Sequence, residues 1–413
     1  MSSASSPLAV PHDAPYGVRN LPYGVFSTAD GPAARRIGVA YGDHVLDAGA
    51  AARATGAPAD VADALAAPSL NPLLAGGPAL WDRTRAALTA WLTEDAHRAA
   101  VAPCLLPRAD VTLHLPFEVA DYVDFYASEH HAANIGRIFR PGSEPLTPNW
   151  KHLPIGYHGR AGTIVVSGTP VVRPCGQRKA AADPAPDFGP SRRLDIEAEL
   201  GFVIGTPSPL GARVALADAD AHVFGVCLVN DWSARDLQSW EYVPLGPFLG
   251  KSFATSVSPW VVPLAALADA RTAPPVRDTE PLPYLDDRAA HPPYGLDIAL
   301  EVRLNGHLVA RPPFAAMYWT YAQMLAHMTV NGASLRTGDF FASGTISGPE
   351  RESRGALIEL SWNGEQPLEL PDGTRRSFLE DGDEVVISAT APGPDGTRIG
   401  LGEVSGRIAP ARR

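Results

Sequence analysis

Between Leu194 and Leu200 polar and apolar residues alternate without a break, Leu-Asp-Ile-Glu-Ala-Glu-Leu, and every polar position is acidic. A period of two belongs to an extended strand, where alternate side chains share a face about 6–7 Å apart. Asp195, Glu197 and Glu199 therefore fall on one face, and the run holds no lysine or arginine. Like charges at that spacing repel unless a cation lies between them. Two outcomes follow: an acidic edge strand facing water, or a strand whose carboxylates converge on positive charge inside the fold.

The rest of the chain sets the frame for that choice. Its 413 residues exceed one ordinary core and predict two domains. No apolar stretch is long enough to span a bilayer, and no basic-then-apolar leader opens the chain, which predicts a soluble, cytoplasmic protein with no membrane partner. Cys104, Cys175 and Cys227 are odd in number and lack C-x-x-C spacing, so neither a disulfide framework nor a structural zinc site is indicated. A net charge of −11 argues against a nucleic-acid partner.

Three stretches emerge. Residues 1–15, rich in Ser, Ala and Pro, read as a flexible leader. Residues 16–118 read as a small α+β domain, with strands around Val25-Phe26 and Ile37–Ala40 and helical Ala/Leu spacing from Asp60 to Ala99. Pro103, Pro107 and Pro116 punctuate an expected linker, with the boundary near 116–120. Residues 119–413 are predominantly β. Val223–Val229 reads as a strand covered on both faces, and Asn305-Gly306 and Asn363-Gly364 as hairpin turns. Pro184–Pro190 and Pro274–Pro293 read as long surface loops. The fold class is thus α+β, mainly β.

Spacing excludes several chemistries. Gly246–Ser252 resembles a phosphate-binding loop but is one residue short and leads into no helix. There is no G-x-S-x-G elbow and no H-E-x-x-H. Reactive side chains concentrate instead in four places: Asp121–His131, the Glu197/Glu199 face, Asp231–Lys251, and Ser343–Thr345 followed by Glu359. Asp231 ends an apolar strand and needs a partner if buried, either a metal or Arg235. Asp124, Glu197, Glu199 and Asp231 are hard oxygen donors that would select calcium or magnesium over zinc.

The segments DYVDFYASEHHAANIGRIFR, NWKHLPIGYHGRAG, LDIEAELGFVIG, NDWSARDLQSWEYVPLGPFLGKSF and ASGTISGP, with NLPYGVFS near the start, resemble the fumarylacetoacetate hydrolase family. The resemblance implies an SH3-like N-terminal domain, a mixed β-roll catalytic domain, and a homodimer. It also implies hydrolysis of fumarylacetoacetate to fumarate and acetoacetate, the last step of tyrosine and phenylalanine breakdown. Carried over by motif, the calcium ligands fall on Asp124, Glu197, Glu199 and Asp231, and further magnesium contacts on Asp231, Lys251 and Thr255. Lys251 has no lone pair on its ammonium, so a direct contact there would use its carbonyl. His131 falls at the general base, oriented by Glu359, and Arg235, Gln238 and Lys251 at the donors to the alkoxide. Tyr126, Arg140, Tyr157, Gln238, Tyr242 and Thr345 fall at substrate contacts. Ala254 stands where the animal enzyme is expected to carry glycine. His130, if the segment is extended, faces away from the site. The alternatives are an acylpyruvate hydrolase or decarboxylase of the same superfamily, and a non-catalytic calcium-binding scaffold.

Overall fold

In the computed structural model, which describes residues 10–180 and 182–412, the apolar run at Val223–Val229 becomes the strand Val223–Asp231, buried at every position. It lies inside an eight-stranded mixed sheet. The order is Gly156–His158, Tyr122–Phe125, Phe340–Ala342, Ala198–Ile204, Val223–Asp231, Thr255–Val257 and Ile164–Val166, with Val262–Pro263 also paired to Val223–Asp231. Phe340–Ala342 runs parallel to Tyr122–Phe125, and Thr255–Val257 parallel to Ile164–Val166; the other pairs are antiparallel. Leu200, Phe202, Val226 and Leu228 face the main core, whereas Val203, Phe224, Cys227 and Val229 pack with the N-terminal region. Cover on both faces is why the run carries no alternation.

A second sheet runs His307–Ala310, Ala299–Leu304, Glu384–Pro392, Arg398–Ala409, Val171–Val172. Burial alternates along Ala299–Leu304 and Glu384–Pro392, as expected where one face meets the core and the other meets water. Asn305 and Gly306 turn the hairpin with φ of 51° and 83°. The second Asn-Gly pair does not make the expected hairpin. Leu357–Leu360 is a helical turn, and Trp362, Asn363 and Gly364 close it with positive φ. Leu357–Leu360 is buried throughout, and a short run buried on all sides carries no period that separates strand from helix.

In the N-terminal region an antiparallel sheet runs Leu105–Pro107, His44–Asp47, Gly31–Tyr41, Tyr23–Thr28, Val111–His114. Helices Ala48–Thr55, Ala59–Leu65, Asn71–Ala75, Gly77–Thr93 and Asp95–Val101 pack beside it. Much of the proline-punctuated stretch is therefore not linker. Leu105–Pro107 and Val111–His114 are edge strands, where proline costs no ladder hydrogen bond. Residues 1–9 of the expected leader lie outside the described residues. From Val10 the chain is tied down: Val10 packs on the N-terminal core, and the Pro15 carbonyl accepts from Gly400 N at 3.0 Å and Asn20 Nδ2 at 2.7 Å. Pro184–Pro190 is not wholly loop either, since Asp187–Pro190 pairs with Cys175–Arg178. The Pro274–Pro293 segment holds only a short 3-10 turn, pinned by a buried Arg277–Asp287 pair at 2.7 Å. Among the described residues no helix is long and apolar enough to cross a membrane.

The acidic run is not one continuous strand. Leu194–Asp195 pairs with Ser233–Ala234, Ala198–Ile204 joins the large sheet, and Ile196 and Glu197 bridge them. All seven residues are buried, which removes the solvated-edge outcome.

Candidate active site

Four elements of the large sheet and its flanks bring the acids together. Asp124 sits near the end of Tyr122–Phe125, Glu199 lies early in Ala198–Ile204, and Asp231 ends Val223–Asp231. Glu197 stands in the break before Ala198, held by Asn230 Oδ1 on its N–H (3.2 Å) while its carbonyl accepts from Asp231 N (3.1 Å). Ligand atoms from Asp124, Glu197 and Asp231 all lie within 4.8 Å of one another. Glu199 is fully buried behind them, and neither of its carboxylate oxygens has a hydrogen-bond partner; Asp124 Oδ1 also lacks one.

Two buried cations answer part of this charge. The Lys251 ammonium bonds to Glu197 and, at 2.8 Å, to Asp231, whose other oxygen accepts from Thr255 Oγ1 at 2.6 Å. Arg235 reaches Glu197 at 2.8 Å. Burial would raise the Glu197 carboxyl, but Lys251, Arg235 and His131 outweigh it and hold it at about 2. Asp124 and Glu199 go the other way. Burial, reinforced by their carboxylate neighbours, pushes both well above the ordinary range. The donor set is all oxygen, close-packed, and partly unpartnered, which fits a hard divalent cation held by Asp124, Glu197 and Asp231, with the unpartnered Glu199 carboxylate nearby. The Lys251 side chain points its ammonium into this cluster, consistent with its having no role as an electron-pair donor.

Opposite stands a histidine–carboxylate pair. Ser128 caps the helix Glu129–Phe139 by accepting from His131 N at 3.3 Å, which sets His131 in the first turn. His131 Nδ1 meets Glu359 Oε2 at 2.6 Å, while Nε2 lies 3.9 Å from Glu197 Oε1. Glu359 also accepts from Asn134 Nδ2 and Ser347 Oγ, both at 2.9 Å. Burial would raise Glu359, yet His131, Asn134 and Ser347 together hold it below the ordinary value. The segment is helical, not extended, so His130 is turned about 100° from His131 rather than to an opposite strand face.

A cavity of about 280 Å³ joins the two halves. Asp124, Tyr126, His131, Arg140, Tyr157, Glu197, Arg235, Gln238, Tyr242, Lys251 and Thr345 all line it. Asp231 and Thr255 line an adjoining cleft that shares Tyr157 and Lys251, while Glu199 and Glu359 stand behind the wall. Thr345 Oγ1 and Arg235 Nη2 are buried without partners and are therefore free to bond elsewhere. Tyr126 packs edge-on against His131, ring centroids 5.4 Å apart. Ala254 is buried in the main core.

Asn134 and Ser347 were not singled out from the sequence, and Asp195 only as part of the acidic alternation, with no role at the site. Asn134 had a readable signal, being three residues from His131 and so on the same face once the segment is a helix. Ser347 had none.

Family models match both regions: Fumarylacetoacetase N-terminal over residues 19–116, and Fumarylacetoacetate (FAA) hydrolase C-terminal over residues 121–409. The chain is 46% identical to a fumarylacetoacetase of Homo sapiens, covering 98% of each chain. It is 47% identical to one from Caenorhabditis elegans, covering 98% of this chain and 99% of that one. A solved fumarylacetoacetate hydrolase from Exiguobacterium antarcticum aligns with TM-score 0.54 at 19% identity, over 95% of this chain and 100% of that one, a likeness of fold. With family models over both regions and relatives matched end to end, the chain belongs to the fumarylacetoacetate hydrolase family.

Proposed function

We propose that the protein is a metal-dependent enzyme that hydrolyses the carbon–carbon bond of fumarylacetoacetate to fumarate and acetoacetate, the closing step of tyrosine and phenylalanine breakdown. The observation that carries this reading is the convergence of a buried His–Glu pair and a buried carboxylate cluster on one cavity, in a chain 46% identical to a fumarylacetoacetase.

Cleavage by water needs a base, a site for the tetrahedral alkoxide, and stabilisation of the carbanion as an enolate. His131 is the base. Its Nδ1–H donates to Glu359, which leaves Nε2 with the lone pair on the side of Glu197 and the cavity. Water attacks the scissile carbonyl carbon while His131 takes its proton. The alkoxide then accepts hydrogen bonds from Arg235, Gln238 and Lys251, and the unpartnered Nη2 of Arg235 supports that role. As the carbon–carbon bond breaks, its electron pair passes into the enolate of acetoacetate, and the proton held on His131 is available to the leaving carbon. Tyr126, Arg140, Tyr157, Gln238, Tyr242 and Thr345 grip the substrate's carboxylates and oxygens. Calcium or magnesium, bound by Asp124, Glu197, Glu199 and Asp231 with Lys251 and Thr255 adjoining, would supply Lewis acidity toward the diketone oxygens.

We read residues 16–118 as the SH3-like domain and 119–413 as the catalytic β-roll; the family models at 19–116 and 121–409 support that division. We also read the protein as a cytoplasmic homodimer. Trp240, in the last turn of the Arg235–Glu241 helix, and Val243, Leu245, Phe248 and Leu249 after it form an exposed apolar patch beside the cavity that a second copy would cover, and three free cysteines suit a reducing compartment.

The test is turnover by chelator-stripped protein, followed as loss of diketone absorbance with and without added calcium or magnesium. Cleavage restored by metal is the expected result. Absence of turnover with either ion would overturn the reading and direct the assay to acylpyruvates.

A further inference from the structure

Asp195 belongs to the same acidic alternation as Glu197 and Glu199, yet its surroundings differ from theirs. Its carboxylate is fully buried and accepts four hydrogen bonds: Ile196 N (2.7 Å) and Leu357 N (2.7 Å) on Oδ1, Arg235 Nε (2.8 Å) and Ile358 N (3.1 Å) on Oδ2. A carboxylate offers about four lone-pair sites, so none remains for a metal.

Those donors come from two different parts of the site. Asp195 pairs across the ladder with Ser233, which sets it beside the start of the Arg235–Glu241 helix. Arg235, held through Nε, directs Nη1 toward Glu197 (2.8 Å) and Gln238 (3.1 Å) and leaves Nη2 buried with no partner. The other two donors, Leu357 N and Ile358 N, open the helical turn Leu357–Leu360 that carries Glu359. Ala356, the residue before that turn, has no side chain able to cap it, and Asp195 does so from a distant strand.

We propose that Asp195 is a positioning residue that locks the Arg235 guanidinium and the Glu359-bearing turn into one fixed relation, so that the alkoxide donor and the His131–Glu359 pair act on the same scissile carbonyl group. The inference rests on the functional reading above. It gives the third carboxylate of the run a role distinct from metal binding: Glu197 and Glu199 face the cation, and Asp195 faces the machinery around it.

Asp195→Glu keeps the charge but displaces it by one methylene, and Asp195→Asn keeps the shape but loses the charge. Each is expected to lower kcat about 10- to 100-fold, the usual cost of removing an orienting partner, with KM changed less than about twofold. Terbium affinity, read by luminescence, stays within about threefold of wild type, since Asp195 is not a ligand. In an Arg235→Lys background Asp195→Glu costs less than its full single-variant factor, because one of the two groups it orients is already gone. Wild-type turnover in the same assay reports on the functional reading, and the ratio of variant to wild type reports on Asp195. Unchanged kcat, losses that multiply independently in the double variant, or lost terbium binding would each overturn the proposal. Failure of both single variants to fold would assign Asp195 to stability alone and overturn it too.

Discussion

His131 and Glu199 are both deeply buried, but for opposite reasons, and the difference gives each a distinct signature on mutation. His131 is held by named partners on a helix whose cap fixes its first turn. Replacing it with alanine should lower kcat by about 10²–10⁴, the usual range for a general base, and leave calcium binding intact; unchanged turnover would exclude it as the base. Glu199 has no partner for either oxygen. Glu199→Gln should therefore unfold at no lower temperature than wild type without divalent ions, since a neutral amide replaces a carboxyl whose charged form has no partner. Calcium at a hundred times its dissociation constant should stabilise the wild type by about 2.7 kcal/mol and the variant by much less. Both Asp124 and Glu199 hold protons above the ordinary carboxylate range, so calcium must displace protons and its affinity should rise with pH. Equal calcium affinity in the variant, read by calorimetry, would remove Glu199 from the ligand set. Glu199 was legible because carboxylates crowded on one strand face demand explanation from the sequence alone, whereas His131 was placed by its motif. Ser347 meets Glu359 from a segment that no local pattern marks, and the alternation that contains Asp195 gives no sign that its partners are Arg235 and the Leu357–Leu360 turn.

The two Asn-Gly pairs show how far element type can be read from turn chemistry. Asn305-Gly306 lies between alternating runs and makes its hairpin, whereas Asn363-Gly364 follows a run buried on every side and closes a helical turn. The hairpin is also secured from outside its own strands. Asp383 accepts from Asn305 Nδ2 (2.8 Å), Arg376 Nε (2.9 Å) and Glu380 N (2.8 Å). Burial would raise this carboxyl, but Arg376 and the other donors outweigh it and hold it below the ordinary value. A lowered folded value contributes stability above the unfolded value, about 3.9, and loses it as pH falls through the folded one. Asp383→Asn should thus cost about 1–3 kcal/mol at neutral pH, with the gap to wild type closing below about pH 4. A gap that stays constant across that range in denaturant melts would show that shape, not charge, is what Asp383 supplies.

At the scale of the whole molecule, the way the two regions share a core could not be read from the sequence. Val223–Val229 signals cover on both faces without naming the cover. That cover is the N-terminal region, since Phe224, Cys227, Val229 and Phe340 pack in one cluster with Leu73, Leu74 and Leu80. The packing leaves no slack: a Cβ on Gly201 would come within 2.0 Å of Phe340 and 2.8 Å of Val229, and one on Gly24 within 2.7 Å of the Trp260 ring. Tyr23 and Val261 exchange backbone hydrogen bonds of 2.9 and 2.8 Å, which stitch the two regions together. A chain beginning at Val119 keeps every residue that lines the cavity, so sequence reasoning alone would expect it to be active. The shared core argues otherwise. Truncation would bare a contiguous apolar face of the large sheet, the kind of patch that soluble monomers seldom expose, on the strands that carry Asp124, Glu199 and Asp231. The truncated chain should therefore aggregate or bind a hydrophobic dye strongly, and bind calcium weakly, although it lacks no ligand. If it were instead monomeric, dye-silent and fully active, the N-terminal region would be an appendage and the carboxylate geometry would be set by the catalytic sheet alone.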